Sequence, residues 1–232
     1  MPDPLRVEIF PHQSVTAMSY PAVTKHRAGV TLILGHGAGA GQTSDFIVSF
    51  AGGLAARGID VVTFNFLYRE QGRRIPDPND KLEACWRGVL GAVREQMKSC
   101  RDVLAIGGKS MGGRIASQVA AGGVAELAGL VFLGYPLHPP GRPDRLRAKH
   151  LSDVEAPMLF VQGSRDAFGS PDELRPIVTS LESPARLYVV EGGEHSSKVR
   201  KGAGIGQGEV HRAIQDHMAG WLHELVAVRR AG

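Results

Sequence analysis

Short, largely apolar runs recur along the chain, each closed by a glycine or a turn-forming cluster: Val30-Thr-Leu-Ile-Leu34, Ile59 to Phe64, Val103 to Ile106, Leu130 to Gly134, Met158 to Gln162 and Leu187 to Val190. A run without polar alternation predicts a strand buried on both faces. Between these runs the apolar spacing changes to that of a helix. It does so over Phe46 to Arg57, Leu82 to Met97, Ile115 to Ala121, the stretch after Pro171, and about Val210 to Val228. Gly58 closes the first of these as a C-terminal cap would. Val7 to Phe10 and Val15 to Tyr20 are β-biased and separated by Pro11, which predicts an opening hairpin or edge pair. Tyr68 to Asp80 reads as a polar, proline-bearing loop. The pattern predicts an α/β fold, a mainly parallel doubly wound sheet with helices on both faces. No repeat or linker interrupts it, so residues 1–232 are expected to form a single domain.

Composition narrows the class. The chain has 232 residues, 43% of them hydrophobic, enough for a large core in one α/β domain. Its 27 basic and 23 acidic residues are interspersed and give a net charge of only +4, which argues against a nucleic-acid surface. Lys198 to Lys201 lies among glycines and reads as a solvated loop. Cys85 and Cys100 provide neither a disulfide framework nor metal-ligand spacing, and Cys85 is expected to be a buried thiol. With no signal-peptide pattern and no apolar run long enough to span a bilayer, the expectation is a soluble cytoplasmic protein.

Candidate chemistry centres on Gly108-Lys-Ser-Met-Gly112, the G-x-S-x-G pattern of a nucleophile elbow, set between a buried strand and a helix. Two rival glycine motifs fail on their own terms. A phosphate-binding G-x-x-x-x-G-K-[ST] loop ending at Ser110 needs glycine at position 103, where Val103 stands. Gly35, Gly37 and Ala40 fit a dinucleotide fingerprint, but Asn65 and Phe66 occupy the end of the next strand, where an acidic ribose ligand belongs.

A serine hydroxyl needs a base to take its proton and a third group to orient that base. In this architecture the chain order is nucleophile, acid, histidine. Asp166, in Gly163-Ser-Arg-Asp-Ala-Phe-Gly169, follows the carboxyl end of one strand, and His195, in Glu191-Gly-Gly-Glu-His-Ser-Ser197, follows the next. His12, His26, His138 and His150 break that order. His211, His217 and His223 fall on the amphipathic last helix as surface or packing residues. Glu191 and Glu194 lie too close to His195 in sequence to be preferred as the acid. For the oxyanion hole, one N–H is expected from Met111 and the other from Ala38, in the loop Gly35-His-Gly-Ala-Gly-Ala-Gly41. His36 is expected to brace that loop.

With these residues in order, the chain resembles the α/β-hydrolase superfamily over essentially its full length. It is similar to a small, lid-poor group that includes dienelactone-hydrolase-like proteins. Within that group it resembles the hydrolase-like family of the testis-expressed protein and the non-specific-lethal complex subunit. The matching stretches are Gly35-His-Gly-Ala-Gly39, Gly107 to Arg114, Tyr135-Pro-Leu-His-Pro-Pro-Gly141, Arg165-Asp166 and Glu194-His-Ser196. The resemblance implies an α/β-hydrolase fold with a Ser110, Asp166, His195 triad. The dienelactone hydrolases proper carry cysteine as nucleophile, so their substrate is not carried over to Ser110. The segment from Gly134 to Met158 is too short for a lipase-type lid. Its Arg142, Arg145, Arg147 and Lys149 could favour an acidic substrate or form a solvated loop. The expected activity is hydrolysis of a small ester, thioester or amide through an acyl-enzyme; the alternative is a non-catalytic binding or scaffold protein on this fold. No metal or organic cofactor is called for, and the expected partner is a small-molecule substrate, with no nucleic acid and no membrane.

Overall fold

The structure, a computed structural model, describes residues 2–23, 27–97, 103–124, 126–200 and 204–231; His26, Cys100 and Lys201 lie outside the described residues. The chain opens with an antiparallel hairpin, β1 (Asp3–Phe10) and β2 (Gln13–Tyr20), turned at Pro11-His12. Strand β3 (Val30–Gly35) follows, then helix α1 (Asp45–Ala55) and strand β4 (Asp60–Phe64). A short helix α2 (Leu67–Glu70) and the long α3 (Asn79–Gln96) lead to β5 (Val103–Lys109) and α4 (Met111–Ala121). The remainder is β6 (Gly129–Leu133), β7 (Met158–Gly163), α5 (Pro171–Ser180), β8 (Ala185–Val190) and α6 (Gln207–Ala231).

The eight strands form one sheet in the order β1-β2-β4-β3-β5-β6-β7-β8. From β4 to β8 every pairing is parallel, and only the opening hairpin runs antiparallel to its neighbours. Five of the six runs predicted as doubly buried strands are so: β3, β4, β5, β6 and β7 are buried at every position, whereas the sixth, in β8 at the sheet edge, is only partly buried. One face packs on α3, α4 and α5 through Trp86, Val89, Ile115, Phe132, Phe160 and Leu174. The other packs on α1 and α6 through Leu32, Leu34, Phe50, Leu54, Met218 and Leu222. This is the α/β-hydrolase arrangement, with loops at the carboxyl ends of the parallel strands collected on one rim.

One further detail differs from the sequence reading. The Tyr68 to Asp80 segment is not all loop: α2 covers its start because Leu67 and Tyr68 are drawn into the core, and α3 begins at Asn79. The connection from β6 to β7 carries only a 3₁₀ turn, Lys149–Asp153, so no lid covers the rim.

Candidate active site

Ser110 sits between β5 and α4 with φ 50° and ψ −116°, a backbone conformation unfavourable for a residue with a Cβ. Its N–H donates to the Leu133 carbonyl at 3.0 Å and its carbonyl accepts from Arg114 N–H at 3.0 Å, so β6 on one side and the first turn of α4 on the other hold the turn. The glycines of the motif answer to crowding. A side chain at Gly108 or Gly112 would collide with the Gly35 carbonyl, and one at Gly107 with the Val131 backbone. Trp86, buried in α3, fixes the turn from below by donating its indole N–H to the Gly112 carbonyl at 3.2 Å.

The three residues predicted to act together, from three different loops, are in contact. His195 Nε2 lies 2.8 Å from Ser110 Oγ, and His195 Nδ1 lies 2.8 and 2.9 Å from the two Asp166 carboxylate oxygens. Asp166 is buried, and it accepts the Phe168 N–H at 2.8 Å and the Gln162 side-chain N–H at 2.8 Å. Gln162, itself fully buried in β7, also donates to the Gly169 carbonyl and accepts the Tyr135 N–H. The acid loop is thereby held in shape before α5 begins at its Ser170–Glu173 capping box.

Three neighbours of this chain of hydrogen bonds went unremarked in the sequence. Phe168 stacks on the His195 ring with centroids 4.1 Å apart, leaving the imidazole edge free to face Ser110. Lys109, in the variable position of the elbow motif, is buried and donates its Nζ–H to the His195 carbonyl. Burial lowers its pKa to about 8, against the opposing pull of Asp166. Gly134, with φ 66°, lets the His195 backbone approach where a side chain would strike its carbonyl. A buried lysine before the serine is the one signal the sequence offered. The other two depend on contacts between residues far apart in the chain.

The glycine loop after β3 folds over the elbow. His36 is fully buried, its Nδ1–H donating to the Gly37 carbonyl at 2.8 Å and its Nε2 accepting the Phe66 N–H at 3.2 Å. Burial lowers its pKa to about 4, so the ring is a neutral brace at pH 7, as expected from the sequence. The Ala38 carbonyl accepts the Tyr68 hydroxyl at 2.7 Å, which fixes the orientation of that loop. Met111, first residue of α4, carries an N–H without an intrahelical acceptor.

Ser110, Met111, Ala38 and His195 all line one open cleft of about 830 Å³, together with Phe168, Pro136, Arg114 and Arg147. Among the described residues no cluster of His, Cys, Asp and Glu is placed to hold a metal ion, and no helix is long and apolar enough to cross a membrane. Of the other described histidines, His150 lines the same cleft, with its Nε2 2.8 Å from Ser117 Oγ. His138 contacts Glu173, His211 packs on Phe46 and Phe50, and His217 stacks on Tyr188. Lys198 and Arg200 are exposed, but their segment is tied to α6 by Gln207, which donates to the Ser197 carbonyl and accepts the Val199 N–H.

A strained elbow serine at the carboxyl rim of a parallel sheet, hydrogen-bonded to a histidine on a later loop, defines the α/β serine hydrolase class. The chain matches the Alpha/beta hydrolase domain family over residues 28–223, and it belongs to that family. Solved structures share the fold. A dienelactone hydrolase from Anabaena variabilis superposes with a TM-score of 0.74 at 18% identity, covering 97% of each chain. An α/β serine hydrolase without a lid from Xanthomonas campestris gives 0.70 at 23% identity, covering 97% of this chain and 94% of that one. Est1E from Butyrivibrio proteoclasticus gives 0.72 at 12% identity, covering 97% of this chain and 99% of that one.

Proposed function

We propose that the protein hydrolyses a small ester, thioester or amide through an acyl-enzyme on Ser110. The observation that carries this reading is the unbroken hydrogen-bonded line from Ser110 Oγ through the His195 ring to the buried Asp166 carboxylate. Ser110 Oγ attacks the substrate carbonyl carbon while His195 Nε2 takes its proton. Asp166 holds Nδ1–H and stabilises the imidazolium. The tetrahedral oxyanion is received by the N–H groups of Ala38 and Met111. His195 then passes the proton to the leaving group, which departs and leaves an ester on Ser110. Water, deprotonated by the same nitrogen, attacks that ester, releases the acid and restores the serine.

The open cleft and short β6–β7 connection favour a soluble, short substrate over a long-chain lipid. The same reading takes the enzyme as cytoplasmic and independent of an organic cofactor, in keeping with the free, buried Cys85. A fluorophosphonate probe tests the nucleophile. Labelling is expected for the wild type and absent for Ser110→Ala, with hydrolysis of p-nitrophenyl acetate lost in parallel. A wild type that takes no label and turns over no acyl ester would make the fold a binding scaffold instead.

A further inference from the structure

The cleft is also lined by cations that the proposed hydrolytic machinery does not use. Arg114 lies one helical turn beyond Ser110 on α4, and a long helical side chain leans back toward the helix N-terminus, here the nucleophile. Its guanidinium is half-buried and held only by neutral oxygens: its Nη1 donates to Gln118 Oε1 at 3.0 Å and to Asn79 Oδ1 at 3.3 Å. Arg147 and Lys149 line the same cleft from the β6–β7 segment. Among the described residues none of the three forms an ion pair with a carboxylate. The one acidic residue in the lining, Asp77, has one carboxylate oxygen engaged by Arg73 at 2.6 Å. His150 beside them is kept neutral at pH 7 by burial and by Arg114.

Arg114 and Arg147 sit close enough to repel: burial first, and Arg147 second, lower the Arg114 pKa. Like charges gathered at a cleft with no carboxylate in ion-pair contact, Glu83 only partly offsetting the repulsion on Arg114, raise the free energy of the empty site, and an anion relieves it. Arg147 is also not a loose surface side chain at its root. Its N–H donates to the Leu137 carbonyl at 2.7 Å, and its own carbonyl accepts the hydroxyl of the buried Tyr135 at 2.8 Å. The basic segment is therefore divided. Arg142 is paired with Asp144 outside the cleft lining, while Arg147 and Lys149, also exposed, line the cleft.

Resting on the hydrolase reading above, we infer that Arg114, Arg147 and Lys149 form an anion subsite, and that the substrate carries a carboxylate or phosphate group a few bonds from the scissile carbonyl. Consecutive turns of α4 separate the Ser110 and Arg114 backbones by about 6 Å, which sets the substrate's short reach. A planar guanidinium pair suits bidentate recognition of either oxyanion.

Two substrate pairs decide on which side of the reacting bond the anion sits. p-Nitrophenyl hydrogen adipate against its methyl ester places the charge on the acyl part. 4-Acetoxyphenyl phosphate against 4-acetoxyanisole places it on the leaving group. The expected result is an anionic-to-neutral kcat/KM ratio of roughly tenfold or more in one pair, falling with added salt. That ratio collapses toward one in Arg114→Gln and Arg147→Gln and persists in Arg142→Gln. Ratios near one in both pairs, or ratios indifferent to both cleft variants, overturn the subsite and leave the hydrolase reading standing. A readout free of turnover is calorimetric binding of monomethyl adipate and of inorganic phosphate to Ser110→Ala. Binding of one of them should weaken about tenfold when Arg147→Gln is added. If neither anion binds, or binding ignores Arg147, the subsite is refuted even for a protein that hydrolyses nothing.

Discussion

At the scale of single residues, Lys109 carries a tension between stability and positioning. Its ammonium is buried and holds the His195 carbonyl, yet its pKa of about 8 lies well below the ordinary 10.5, so the folded chain resists its protonation. A depressed folded pKa means that between about pH 8 and 10.5 the unfolded chain binds the extra proton, and stability rises with pH across that window. The rise should reach about 3 kcal/mol, measured as urea midpoints against pH, and it should be missing in Lys109→Met. The variant should also lose about tenfold in kcat on an aryl ester, because the backbone carrying His195 is no longer held. Gln162 shows the same economy without charge, one fully buried amide serving the acid, its loop and the strand beside it.

At the scale of elements, the sequence disclosed most where one element alone decides the outcome. The strands from β3 to β7 were legible because both of their faces are buried, leaving largely apolar runs without polar alternation. Helix α3 was legible because Leu82, Cys85, Trp86, Val89, Leu90 and Val93 keep one stripe. The three residues now seen in line, Ser110, Asp166 and His195, were legible because each follows a strand end in the expected order. What stayed hidden depends on contacts across elements. Helix α2 has only Leu67 and Tyr68 to announce it, and Phe168 reads as an ordinary loop aromatic until it lies on His195. The basic segment from Arg142 to Lys149 gave no sign of which members face the cleft. The crossing of β3 and α4 offers a sharp test. Gly112→Ala drives a methyl group into the Gly35 carbonyl beneath the glycine loop, where backbone must move. It should cost about 3 kcal/mol in thermal or urea unfolding and displace Ser110, with kcat falling more than KM changes. Gly91→Ala, an open position in α3, should lose neither.

For the whole molecule, acid sensitivity follows from the imidazole that braces the glycine loop. His36 has a folded pKa of about 4 against 6.5 for the free side chain. Between those values the unfolded chain takes up a proton that the folded chain refuses, so stability falls as pH drops through that interval. The loss from this one group should approach about 3 kcal/mol and level off below pH 4, seen as a falling urea midpoint from pH 7 downward.

Helix α6 closes the second face of the sheet, clamped to α1 by Arg57, which bonds Asp216 at 2.7 Å and Gln215 at 3.1 Å. Its Met218, Trp221 and Leu222 cover strands made long before it. During synthesis, then, β3 and β5 emerge with one apolar face bare, and the hydroxyl of Ser110 waits for a base that lies 85 positions farther along the chain. The elbow is built early; His195 follows β8 and precedes the helix that covers the last exposed core. On the proposed function, the serine therefore gains its base only once β8 has joined the sheet, shortly before α6 covers the second face.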